Sequence, residues 1–162
     1  MGIQLKRVDN GEDKTNPTLW TILTSGPLAR RWIGKAAPQV SQLALQSGKN
    51  TLLYFRTRGC VICDLIDMRV AAACRNSGVD LIVIDRYSKS DAPEDKEIYN
   101  QPGNILDFGG LINSAFQIGI YPSLVLINEA GQIVLKQVGS GKTPPEQFGE
   151  YLQDRFSIVL AI

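Results

Sequence analysis

The sequence predicts one α/β domain in three layers, with a central mixed sheet between two layers of helices. The first observation is the alternation of apolar runs with helix-periodic stretches, in the order strand, helix, strand, then helix, strand, strand, helix. The second is the continuous apolar run Leu81 to Ile84, which is typical of a parallel strand buried on both faces. The third is composition: 44% apolar and 20% charged over 162 residues suit a single globular core.

Three segments divide the chain. Residues 1–33 are predicted to form an N-terminal arm, polar and mobile at first, with short helices after the Asn16-Pro17 start signal. Residues 34–157 are predicted to form the folded domain, and residues 158–162 a C-terminal tail. Inside the domain, the polar stretch at about 86–104 is predicted to be an insertion.

The elements of the domain follow from short apolar runs, helical periodicity and turn residues. We expect a mostly parallel sheet that carries a hairpin at one edge. In chain order, the predicted elements are a strand at 51–55, a helix at 60–76, a strand at 80–85, an extended piece and a helix within 105–117, a hairpin of strands at 123–127 and 132–138, and a last helix that opens with a capping box from Thr143 to Glu146.

The chemistry is concentrated in Cys60-Val61-Ile62-Cys63, between the first strand and the first helix. The first turn of a helix has unpaired N–H groups and the positive end of the macrodipole, and both favour a thiolate. A thiolate is the species that attacks disulfides. We therefore expect Cys60 to be the exposed nucleophile and Cys63 the shielded, resolving thiol. Arg56 and Arg58 are close enough in sequence to lower the pKa of Cys60 further.

The alternatives for this pair are two structural cysteines or part of a zinc site. The chain has three cysteines and no histidine, so a zinc site would need carboxylates or a second chain to reach four ligands. The absence of histidine also excludes Cys-His and Ser-His nucleophile pairs. The spacing favours a redox pair, and we predict no metal and no cofactor.

The third cysteine, Cys74, lies on the helical stripe of Cys63, eleven residues further on. That distance is about 16 Å along a helix, whereas a disulfide needs Cα atoms within about 7 Å. We predict that Cys74 is a buried, unpaired core residue. A regulatory or intermolecular thiol stays open.

Net charge and hydropathy limit the classes of partner that the sequence supports. A net charge of +1 gives no electrostatic case for nucleic acid or an anionic membrane. No apolar run approaches the roughly 18 residues that span a bilayer. Residues 1–15 are polar and charged, so no complete signal peptide is visible.

Four features of the sequence together form a known family pattern: Ala37-Pro38 with Gly48-Lys49; the Cys60-to-Cys63 motif; Asp107 with Phe116-Gln117-Ile118 and Tyr121-Pro122-Ser123; and Asn128 to Val134 followed by Gly139. Through them, from about Gly34 to Phe156, the chain resembles the thioredoxin-like thiol-disulfide oxidoreductases, nearest the extracytoplasmic TlpA/ResA group. It departs from them where Arg56-Thr57-Arg58-Gly59 replaces an aromatic approach, and where Tyr54 replaces a buried acid.

The resemblance implies a cis-proline at Pro122 that faces the disulfide. It also implies that the Tyr121 backbone pairs with an extended substrate strand, and the Tyr121 side chain could cover the disulfide. The implied function is a thiol-disulfide oxidoreductase acting on protein thiols and disulfides, such as apocytochrome c cysteines, with electrons from a membrane thiol carrier.

The implied location is periplasmic or otherwise extracytoplasmic, with any anchor or export signal outside this sequence, and a cytoplasmic location stays open. We expect a monomer. The rival function is a thioredoxin-fold assembly module with a structural disulfide, which would dock partners through the arm and the 86–103 loop.

Overall fold

A five-stranded mixed sheet forms the centre of the molecule. The structure is a computed structural model and describes residues 7–9, 12–14, 27–87, 103–139 and 142–161. The strands are β1 Arg7–Asp9, β2 Glu12–Lys14, β3 Thr51–Thr57, β4 Asp80–Tyr87, β5 Asn104–Phe108, β6 Ser123–Ile127 and β7 Ile133–Val138. The order in the central sheet is β5-β4-β3-β6-β7.

The strand directions confirm the predicted mixed sheet. Strands β5, β4 and β3 are parallel, whereas β6 is antiparallel to β3 and β7 is antiparallel to β6. The β6–β7 hairpin therefore occupies one edge, as its turn residues predict. Outside this edge, Gly34 donates to the carbonyl of Ile133, and Ala36 bridges to Gln132, so the entering chain covers β7.

Helices cover both faces of the sheet, which gives the predicted three layers. They are α1 Val61–Ser77, α2 Leu111–Ala115 and α3 Phe148–Leu160, with 3₁₀ turns at Pro27–Trp32 and Pro145–Gln147. Alternate residues of β3 point to opposite faces: Leu53 and Phe55 pack in the core under α2, and Leu52 and Tyr54 in the core under α1 and α3. Among the described residues, no helix is long and apolar enough to cross a membrane.

A buried lysine ties the 3₁₀ turn before the domain to the sheet. Lys136 of β7 is 8% exposed, and its Nζ lies 4.4 Å from the centre of the Trp32 ring. Nζ also donates to the carbonyl of Phe116 at 2.7 Å. Burial, with help from Arg31, lowers the pKa of Lys136 to about 8.

The N-terminal arm contains two short strands that its polar sequence did not predict. Strands β1 and β2 pair antiparallel with each other, in a sheet separate from the central one. The expected short helix near Leu28 is a 3₁₀ turn that starts at Pro27. The helix predicted after Asn16-Pro17 lies outside the described residues.

The predicted capping box at the last helix is wrong. A 3₁₀ turn forms first, with Pro144 at its cap, φ −57° and ψ 144°, and no side-chain capping hydrogen bond. Proline fixes φ and has no N–H to be capped. Helix α3 also continues to Leu160, where Val159 and Leu160 pack against the core, so most of the predicted tail 158–162 is helical.

Two strands are longer than their apolar runs. β3 continues through Arg56 to Thr57, and β4 continues to Tyr87, because the two strands stay paired up to Thr57 and Arg86. The predicted insertion therefore starts after β4, and residues 88–102 lie outside the described part of the chain. The extension places Arg56 in the sheet rather than in an approach loop.

Candidate active site

Cys60 lies between the end of β3 and the first residue of α1. Gly59 turns the chain with φ 73°, and Cys60 then caps the helix with φ −83° and ψ 100°. The Sγ atom of Cys60 accepts a hydrogen bond from the N–H of Cys63 at 3.2 Å. The sulfur thus occupies the place of a capping oxygen, against the N–H groups that the helix leaves unpaired.

The two motif cysteines form a disulfide with a Cα–Cα distance of 5.2 Å. Their surroundings differ. Cys60 is half-buried, whereas Cys63 is fully buried within the core that also holds Phe55 and Ile112. Cys60 is therefore the motif cysteine that solvent partly reaches, and Cys63 is shielded from it.

The Tyr121–Pro122 segment lies at the same end of the sheet as the disulfide. Ser123 pairs with Phe55 on β3, so the two residues before Ser123 run beside the end of β3, which leads to Cys60. The Tyr121–Pro122 peptide bond is cis. The Pro122 carbonyl accepts from the N–H of Gly139 at 2.7 Å, which ties this segment to the end of β7.

The Tyr121 side chain is a core group. It is 6% exposed and packs in the same core as Cys63. Its hydroxyl donates to Asn113 Oδ1 at 2.7 Å, and burial raises its pKa. Only the backbone of Tyr121 is left for the predicted contact with a substrate strand.

A buried hydrogen-bond chain holds Tyr121 in place, and sequence reasoning missed it. Asp107 accepts from the N–H groups of Ile112 and Asn113 at 3.2 and 2.9 Å, and from Asn113 Nδ2 at 2.6 Å. Asn113 in turn accepts from Tyr121. The only sequence signal is the polar pair Asp107 and Asn113, six residues apart around an apolar stretch.

Arg56 lies close to three carboxylates. Its Nη atoms lie 2.5 Å from Asp67 and 2.8 Å from Asp64, and its Nε lies 3.3 Å from Asp85 without hydrogen-bond geometry. Burial would lower the pKa of Arg56, but Asp85 and Asp67 outweigh burial and raise it. A cation so compensated has little net attraction left for a thiolate at Cys60.

Tyr54 joins this cluster from the buried face of β3. Its hydroxyl can donate to either of two acceptors: Asp67 Oδ1 at 2.7 Å or the carbonyl oxygen of Cys63 at 3.2 Å. Burial, then the bond to Asp67, raises the pKa of Tyr54. Position 54 itself carries no acid. Asp67 of α1, four residues after Cys63, supplies a carboxylate that accepts the hydrogen bond of the Tyr54 hydroxyl. That i, i+4 spacing is the signal that could have identified it.

Arg58 is exposed, and its position differs from that of Arg56. It lines a cavity of about 460 Å³ together with Gly59, Asp64 and the Arg56 cluster. A larger cavity, about 930 Å³, lies against β7 and α3 and has no cysteine in its lining. The smaller cavity is the one that adjoins the motif.

Cys74 is free, 2% exposed and packed under α3, as predicted. Burial raises the pKa of its thiol to about 12. Within the described ranges, no group of three or more His, Cys, Asp or Glu side chains is arranged to hold a metal ion.

No protein-family model matches the chain, and no curated protein matches it. Solved structures do. A candidate DsbE-type thiol:disulfide interchange protein from Chlorobium tepidum aligns with TM-score 0.57 and 17% identity, over 78% of this chain and 97% of that one. A secreted Mycobacterium tuberculosis disulfide oxidoreductase homologous to E. coli DsbE aligns with TM-score 0.51 and 17% identity, over 67% and 83%.

A third structure is the thioredoxin domain of a thiol-disulfide oxidoreductase from Bacteroides vulgatus, with TM-score 0.51 and 19% identity, over 78% of this chain and 97% of that one. At these identities the likeness concerns the fold. The fold of this chain is thioredoxin-like, with its Cys-x-x-Cys disulfide at the N-terminus of the first long helix.

Proposed function

We propose that this protein is a thiol-disulfide oxidoreductase that exchanges or reduces disulfides of other proteins. The observation that carries the proposal is the Cys60–Cys63 disulfide at the N-terminus of α1, in which Cys60 is half-buried and Cys63 is fully buried. A merely structural disulfide needs no such asymmetry. The fold that surrounds it is the one shared with the thiol-disulfide oxidoreductases above.

The chemistry is a two-step exchange. In the reduced protein, the Cys60 thiolate attacks one sulfur of a substrate disulfide; a mixed disulfide forms, and the other substrate sulfur leaves as a thiolate. Cys63, deprotonated, then attacks the Cys60 sulfur, which restores the Cys60–Cys63 disulfide and releases the substrate with both sulfurs reduced. Two electrons pass to the substrate. The reverse sequence oxidises a dithiol.

The helix terminus is the main group that favours the Cys60 thiolate in this proposal. The N–H of Cys63 already points at the sulfur, and the macrodipole adds a favourable field. Arg58, exposed near the motif, adds a weaker attraction that salt screens. Arg56 contributes least because the negative charges of three nearby aspartates offset its positive charge.

The substrate strand pairs with the Tyr121 backbone beside Pro122. Ser123 is the first residue of the β6 ladder, and among the described residues no backbone hydrogen bond is made by Tyr121. A backbone without hydrogen-bond partners at Tyr121, directly before a strand, is suited to β-strand addition. The resemblance supports an extracytoplasmic monomer that takes electrons from a membrane thiol carrier.

A trapping experiment tests the assignment of roles. Cys63→Ser should accumulate a mixed disulfide between Cys60 and a substrate protein, because the resolving thiol is gone. Cys60→Ser should form no trapped complex and should lose insulin reduction to the background rate. Non-reducing gels and mass spectrometry identify the linked cysteine. If Cys60→Ser still traps substrate, the roles are wrong; if neither variant traps and the wild type reduces no disulfide, the rival assembly function is favoured.

A further inference from the structure

Helix α1 is apolar on two opposite faces. One face carries Ile66 and Val70 and is buried in the core. The other carries Val61, Leu65 and Met68, which are 62%, 54% and 77% exposed. At about 100° per residue these three side chains fall within an arc of about 60°. We call them the outer stripe.

The outer stripe lies between charged groups. Asp64, in the Arg56 cluster, borders it on one side, and Arg69, which reaches the carbonyl of Glu146, borders it on the other. An apolar face with a polar border is typical of an interaction site. Solvent alone does not favour three large apolar side chains on an exposed face of one helix.

We propose that the outer stripe receives apolar residues of the substrate protein close to its reacting cysteine. The proposal rests on the proposed function. Val61 follows Cys60 directly, so a protein whose sulfur bonds to Cys60 lies next to the start of the stripe. The stripe then continues the contact along α1, away from the segment at Tyr121 that takes the substrate strand.

Helix geometry sets the spacing of the substrate residues. Leu65 lies about 6 Å and Met68 about 10 Å from Val61 along the helix axis. An extended peptide spans about 3.3 Å per residue. The apolar residues should therefore lie two to four positions from the substrate cysteine.

A second copy of the chain is a poorer occupant. Stable protein–protein interfaces bury about 800 Å² per partner over about 20 residues, and the stripe offers three side chains. A dimer across Val61 would also close access to Cys60. The stripe fits a substrate that is held briefly and released.

The experiment uses two peptides, each with one cysteine in mixed disulfide with 2-mercaptoethanol. One carries leucines at positions two to four on both sides of the cysteine, and the other carries serines there. Attack by the reduced protein joins Cys60 to the peptide and expels the small thiol. We expect the leucine peptide to react about tenfold faster, in the second-order rate constant, than the serine peptide. Leu65→Ser with Met68→Ser should bring the two rates together.

The control is Ile33→Ser with Ile158→Ser, which removes two exposed apolar residues away from the motif, 46% and 58% exposed. It should keep the preference. Bis(2-hydroxyethyl) disulfide, a small substrate, should react equally with all variants, which shows that Cys60 and the helix are intact.

Three outcomes overturn the proposal. Equal wild-type rates with the two peptides would remove the docking role and leave the proposed function standing. Preservation of the preference in the Leu65/Met68 variant would place the apolar contact elsewhere. A concentration-dependent dimer that this variant abolishes, together with equal rates for both peptides, would assign the stripe to self-association. No reaction with any disulfide is a different result, because it contradicts the proposed function itself.

Discussion

At the scale of single residues, the three cysteines show how position decides reactivity. Cys60 is half-exposed at a helix terminus, Cys63 is buried one turn later, and Cys74 is buried three turns further into the same helix. The side chain is identical in all three places. What differs is access to solvent and to unpaired N–H groups, so only the first is suited to attack.

Cys74 should resist alkylation in the folded protein. Burial blocks the reagent, and the pKa near 12 leaves almost no thiolate at pH 8. After reduction, brief iodoacetamide treatment should label Cys60 first and leave Cys74 unlabelled, at a rate at least about 100-fold slower. Mass spectrometry after unfolding counts the labels. Equal labelling of Cys60 and Cys74 would contradict the burial.

At the scale of elements, the Arg56 cluster fastens α1 to the sheet. Arg56 and Tyr54 come from β3, Asp85 from β4, and Asp64 and Asp67 from the helix. The cluster thus joins three elements directly behind the motif. Its two helical carboxylates differ in exposure: the Asp67 side chain is 30% exposed and the Asp64 side chain 64%.

Asp67 should contribute more stability than Asp64. Asp67→Ala removes acceptors of both Tyr54 and Arg56 in a half-buried site, and should lower the free energy of unfolding by about 1–3 kcal/mol. Asp64→Ala removes only an exposed ion pair with the same arginine, and should cost less than about 1 kcal/mol. Urea denaturation of both variants measures the difference, and equal losses would contradict the cluster's geometry.

At the scale of the whole molecule, local patterns predict the order of elements, and long-range pairing determines their ends. The run Leu52 to Phe55 predicts a strand, but only pairing with β4 carries β3 on through Arg56. The Cys-x-x-Cys spacing and the turn before it predict the site's centre. The aspartates around Arg56 come from α1 and β4, far apart in sequence, so no local pattern brings them together.

The stability of the whole protein should depend on pH through Lys136, the buried lysine beside Trp32. Its pKa falls from 10.5 in the unfolded chain to about 8 in the fold. Between these two pH values Lys136 is protonated in the unfolded chain and largely neutral in the folded one. The free energy of unfolding therefore rises with pH over this range, by about 1–3 kcal/mol in total. Below pH 8 both states are protonated and the contribution is flat.

Lys136→Met should remove this gain. The wild-type-minus-variant difference in the free energy of unfolding, measured by urea denaturation at pH 7 to 10.5, should rise with pH above about 8, while other titrating groups cancel in the difference. Lys49→Met, which removes an exposed lysine, controls for the lost charge. A flat difference for Lys136→Met would contradict the lowered pKa.

The sulfur of Cys60 also caps α1, and this couples the redox state of the motif to the stability of the fold. Reduction turns a neutral disulfide sulfur into a thiolate, which is a stronger acceptor for the Cys63 N–H. Folding and reduction then form one thermodynamic cycle. The difference in the free energy of unfolding between the two redox forms equals the difference in the free energy of reducing the disulfide between the folded and the unfolded chain. Residues that stabilise the first turn of α1 more in the reduced form than in the oxidised form therefore shift the reduction equilibrium of the protein toward the dithiol.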